Sequence, residues 1–111
     1  MGIFGKKRTG DEAVLWNKEQ IEKNVRALEV ILVQLEGKKA ITDKLKDLIE
    51  SYKYVSPLGT QTAAKADRRI ADLIDDIRIA AVKAMKSDDF GEAENLIGKI
   101  KVLTAERNMG V

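Results

Sequence analysis

A chain of 111 residues, 44% of them apolar, has room for one domain around one core. Charged residues reach 34% and aromatics only 5%, so the core must be aliphatic and the surface laced with ion pairs. Cysteine and histidine are absent, which excludes disulfides, thiol nucleophiles, Cys/His zinc sites and imidazole acid–base chemistry.

Residues 1–10 read as a flexible basic-apolar tail. Gly2, Gly5 and Gly10 weaken any helix there. Ile3 and Phe4 precede Lys6, Lys7 and Arg8, a pairing that suits shallow contact with an anionic lipid surface. Lys6 stands where myristoylation needs Ser or Thr. Of 20 basic residues against 18 acidic, these three carry the excess, since without them 17 face 18. The segment MGIFGKK resembles the start of ESCRT-III and PspA-type membrane-remodelling proteins. That resemblance implies membrane insertion through Ile3 and Phe4. It covers seven residues, and Pro57 interrupts the long hairpin the family carries, so no family is assigned on it.

The body, 11–108, reads as a single helical bundle domain. A first helix starts near Asp11, where Asp11 and Glu12 suit a helix N-terminus. Its apolar stripe is expected to be Val14, Ile21, Val25, Leu28, Leu32 and Leu35, and Gly37 suits a left-handed cap. Leu15, Val30 and Val33 project roughly 120–180° from that stripe, and Trp16 also falls away from it. Trp16, Val30 and Val33 are therefore a candidate protein interface. The alternatives are that the helix is buried centrally, or that Trp16 precedes the regular turns and covers the bundle end.

A second helix carries Ile41, Leu45, Leu48, Ile49 and Tyr52 on one face, with the Tyr52 hydroxyl expected at the core's edge. Lys39, Lys46 and Lys53 repeat every seven residues, but Asp43, Asp47 and Glu50 interleave with them. Nucleic acid is thus an unlikely partner, and weak binding to it ranks last among the noncatalytic readings. Val55–Thr60 is a loop, because Pro57 drives Ser56 out of helical geometry and Gly59 frees the turn. Ser51 and Ser56 have no base nearby that could activate a nucleophile.

The third helix, from about Gln61 to Lys86, carries Ala66, Ile70, Leu73, Ile77, Ala81 and Ala84, flanked by Ile74 and Met85. Asp72, Asp75 and Asp76 lie together on its far side, where Arg68 and Arg69 are the expected ion-pair partners rather than a metal. Ser87-Asp88-Asp89 turns the chain into a fourth helix bearing Phe90, Ala93, Leu96, Ile97, Ile100 and Leu103. The segment DDFGEAENLI resembles the second-helix entrance of helical repeats, but one such hairpin makes no array.

The expected fold is all-α, an antiparallel four-helix bundle, with a three-helix bundle containing one long kinked helix as the alternative. The expected core is Ile21, Leu28, Leu32, Leu45, Leu48, Ile70, Leu73, Ile77, Leu96, Ile97 and Ile100. No catalytic, metal or cofactor residue stands out, and no small-molecule substrate is expected. The leading reading is a noncatalytic protein-interaction or self-assembly module in the cytoplasm. Peripheral membrane association through the leader is the alternative.

Overall fold

The structure is a computed structural model that describes residues 10–109. Ile3, Phe4, Lys6, Lys7 and Arg8 lie outside the described residues. Four helices make up the rest: α1 (Gly10–Gln34), α2 (Lys39–Lys53), α3 (Gln61–Ser87) and α4 (Gly91–Met109). The fold is an all-α four-helix bundle.

The breaks follow local chemistry. Gly37 adopts φ +95°, a conformation that costs a side chain about 1 kcal/mol or more, and the Lys38 amide then closes on the Leu35 carbonyl at 3.0 Å. This break separates α1 from α2, so one long kinked helix does not form. The linker 54–60 ends at Thr60, whose hydroxyl accepts from the Ala63 amide and caps α3. At the α3–α4 turn, the Asp89 carboxylate accepts from the Gly91 amide.

Successive helices are antiparallel, and the two hairpins pack side by side. α1 packs on α2 and α3, and α4 packs on the same two; the diagonal pairs make no backbone-level contact. Lys44 pairs with Glu94 and Asp47 with Lys101, an order that runs the same way along both helices, so α2 and α4 are parallel. The linker from α2 to α3 therefore crosses a diagonal at one end of the bundle.

Burial follows a heptad. On α1 the buried positions are Asn17, Ile21, Asn24, Leu28 and Ile31, with Leu35 just past its end, alternating steps of four and three. On α2 they include Ile41, Leu45, Leu48 and Tyr52, and α3 and α4 continue the pattern through Ile70, Ile74, Ile77, Ile97 and Ile100. Each fully buried aliphatic side chain contributes roughly 1.5–3 kcal/mol against exposure.

The expected stripe on α1 needs correction. Val14 is exposed, Val25 and Leu32 are only half-buried, and Ile31 is in the core instead. A stripe drawn through apolar residues alone had to skip Asn17 and Asn24. The true seam passes through both, and this rotates the helix enough to bring Ile31 inward. Met85, expected beside the α3 stripe, is exposed. The other ten expected core residues are buried.

Candidate functional site

Four helices bring polar side chains into the core at the linker end. Asp67 of α3 and Arg107 of α4 form an ion pair with 0% exposure on both side chains. Arg107 Nε donates to both Asp67 carboxylate oxygens, at 3.1 and 3.0 Å. Its Nη2 donates to Asn17 Oδ1 at 2.6 Å and to the Ser56 carbonyl at 2.9 Å. Asn17 Nδ2 donates to Asp67 Oδ2 at 2.6 Å, while Asn17 Oδ1 also accepts from the Leu58 amide at 2.9 Å.

Tyr52 completes the centre from α2. Its hydroxyl donates to Asp67 Oδ1 at 2.8 Å and accepts from Asn24 Nδ2 at 3.1 Å. Asn24 Nδ2 also reaches the Asp67 carbonyl at 3.0 Å. Among the described residues, no buried side-chain nitrogen or oxygen lacks a partner. That matters because each unsatisfied group here would cost about 1–3 kcal/mol. Burial, and then the Asp67 charge, push the Tyr52 phenol well above its ordinary range.

Tyr52 to Asp67 joins α2 with α3, and Arg107 to Asn17 joins α4 with α1, so polar side chains span both diagonals. Arg107 and Asn17 also hold the linker through Ser56 and Leu58. A shift of any helix by one residue breaks several of these bonds together, so the network specifies register, as buried polar groups do in coiled coils. Asp67 and Arg107 are sealed from solvent, so neither meets a solute in this conformation.

Sequence reasoning missed the network. It placed the Tyr52 hydroxyl at the edge of the core, whereas the structure buries it. It did not single out Asn17, Asn24, Asp67 or Arg107. The signal was present as polar residues standing in heptad positions: Asn17 and Asn24 lie seven apart, and Asp67 and Arg107 continue the seams of α3 and α4.

The outer surface carries the candidate interface. Val30 is 55% and Val33 70% exposed, while Trp16 is half-buried. Trp16 stands about 21 Å along α1 from Val30, so the three do not form one patch. α3 supplies other neighbours. Asp67 bonds both Asn17 and Asn24 and stands level with the turn between them. Val33 is then about level with Ile79, with Val30 and Val82 about one turn to either side.

Ile79 and Val82 are each 56% exposed. Leu32 and Val33 both line a pocket with Thr42 and Lys46 of α2. Val30 is on the other flank of the α1 seam, toward α3. Val30, Ile79 and Val82 are thus exposed apolar residues at similar heights on two packed parallel helices, with Val33 exposed beside them and bordering α2 as well.

The remaining candidates are charge pairs. Asp75 pairs with Arg78 at 2.5 Å, rather than with Arg68 or Arg69. Among the described residues, no acidic cluster has the arrangement to hold a metal ion. Lys39 pairs with Asp43, and Lys53 with Glu50, whose carboxylate pushes the Lys53 ammonium up. Ser51 Oγ donates to the Leu48 carbonyl. No helix among the described residues is long and apolar enough to cross a membrane.

Fold and site together define a four-helix bundle with a sealed polar centre and exposed apolar residues on the outer sides of α1 and α3. No protein-family model matches the chain, no curated protein matches its sequence, and no solved structure matches it.

Proposed function

We propose that this chain is a noncatalytic interaction module that binds a protein partner through the outer face of α1 and α3. The observation that carries this reading is the level placement of Val30, Val33, Ile79 and Val82, all more than half exposed, on two packed parallel helices. An apolar surface of this kind gains free energy when a partner covers it. The polar centre supports the reading from the other side, because its strongest acid–base pair is buried and fully bonded. The bundle then acts as a rigid platform, and its mechanism is surface burial rather than bond making.

Replacing Val33→Glu together with Ile79→Glu tests this. Both residues point away from the core, so the bundle should fold and melt as the wild type does. Recovery of a specific partner from the native cell by the wild-type chain, and its loss with the double variant, is the expected result. An identical set of recovered proteins for both chains would refute this face as the interface.

A separate reading concerns Ile3, Phe4, Lys6, Lys7 and Arg8, whose apolar-then-basic order suits reversible contact with anionic lipid. Sedimentation with anionic liposomes should then retain the full chain and release one starting at Asp11. Equal retention of the two chains would remove the leader as anchor.

A further inference from the structure

Gly98 sits in the middle of α4, where glycine costs roughly 0.5–1 kcal/mol against alanine. Nothing inside the bundle demands it. A Cβ built there meets no atom within 4 Å, and its φ is not left-handed. What the missing side chain leaves is space, the floor of a groove of about 460 Å³ between α3 and α4. Leu73, Val102 and Leu103 supply apolar walls, and Arg69 and Lys99 stand at the rim. No carboxylate lines this groove, although Asp76 and Glu106 follow one turn beyond Leu73 and Leu103. Neither Arg69 nor Lys99 is ion-paired among the described residues.

The complement of this groove is on α1. Asp11, Leu15, Glu19 and Glu22 follow at steps of four, four and three, which makes them one ridge on the helix surface. Leu15 is 57% exposed, and the three carboxylates are exposed and unpaired among the described residues. Lys18 lies at the edge of the ridge. This ridge points opposite the buried seam, and α1 makes no contact with α4, so a chain cannot fill its own groove.

We propose that the α1 ridge of one copy docks in the α3–α4 groove of a second copy. Leu15 enters over Gly98, and Glu19 and its neighbouring carboxylates meet Arg69 and Lys99. The two surfaces differ, so the contact is heterologous and leaves each pair with one free ridge and one free groove. Association therefore continues head to tail. One ridge in one groove falls below the roughly 1,200 Å² of a standard interface, so the assembly is weak, and it weakens further with salt. The contact shares no residue with the Val30–Val82 face.

Sedimentation velocity on the full chain tests this. The wild type should pass from the mass of one chain to at least twice that mass as concentration rises toward the millimolar range, and high salt should reverse the change. Gly98→Leu blocks the groove and Leu15→Lys blocks the ridge. Both sites are open, so both variants should keep the wild-type helical spectrum. Each variant alone should stay at the mass of one chain. Their equimolar mixture should form a dimer that stops there, because the intact ridge of Gly98→Leu fits the intact groove of Leu15→Lys. A wild type that stays at the mass of one chain at millimolar concentration overturns the proposal. So does a variant that still associates alone, or a mixture that does not associate. Loss of association in Val33→Glu with Ile79→Glu, but not in these variants, would assign self-assembly to the other face.

Discussion

Replacing Arg107→Met removes the guanidinium while keeping an unbranched apolar side chain of useful length in its place. Five hydrogen bonds go with it: two to Asp67, one to Asn17, one to the Ser56 carbonyl and one to Asn108 Oδ1. Asp67 keeps Asn17 Nδ2 and the Tyr52 hydroxyl, but its charge is then buried with no cation beside it. Breaking a buried pair from one side costs about 3–5 kcal/mol. A domain this size has roughly 5–15 kcal/mol in total. With a urea slope of about 2 kcal/mol per molar, the unfolding midpoint should drop by roughly 2 M.

Asp67→Asn alone should also destabilise, since Arg107 is then the unpaired charge. The double change, Asp67→Asn with Arg107→Met, should recover a large part of the summed loss, because no buried charge remains. Urea unfolding followed by circular dichroism reads all three. An Arg107→Met midpoint within about 0.5 M of wild type would refute the sealed, charge-paired centre. Strict additivity in the double variant would refute the coupling between the two residues.

The Tyr52 phenol is pushed upward by burial and then by the Asp67 charge, so the folded chain holds its proton more tightly than the unfolded chain. Its stabilising contribution is complete below the ordinary tyrosine pKa of about 10 and falls by up to about 1.4 kcal/mol per pH unit above it. Tyr52→Phe should cost about 1 kcal/mol near neutrality and flatten the alkaline loss, which denaturation at several pH values would measure. An unchanged alkaline slope would contradict a buried phenol. Gly98→Ala should raise stability by roughly 0.5–1 kcal/mol, read as a higher melting temperature, because the new methyl meets no neighbour. Thr60→Ala should lower stability by about 1 kcal/mol in the same assay, since the Ala63 amide loses its cap.

Helix positions and their ends were legible in the sequence because they depend on local chemistry. Gly37 at a left-handed cap and Pro57 in the linker act within a few residues of themselves. Most of the core was legible for a similar reason, as Ile70, Leu73, Ile77 and Leu45 recur at helical spacing. The apolar pattern of α1 was ambiguous, because Val14, Val25 and Leu32 could be joined into a stripe while Leu15, Val30 and Val33 lay on another side.

Tertiary structure decided which seam was real. Asn17 and Asn24 are buried because partners 28 to 90 residues away satisfy them. Without Tyr52, Asp67 and Arg107 in place, two asparagines would be a reason to turn that face outward. Long-range hydrogen bonding therefore reversed a preference that composition alone would assign. It brought Ile31 inward and left Val30 and Val33 outside. Periodicity and local breaks were enough for an all-α bundle with an aliphatic core, while whether α1 and α2 form one kinked helix or two stayed open until Gly37 was seen at φ +95°. Only the fold decided which helices lie side by side, that a charge pair sits sealed among them, and which apolar residues stay exposed. Those outcomes depend on the energy of groups that meet only after the chain has closed.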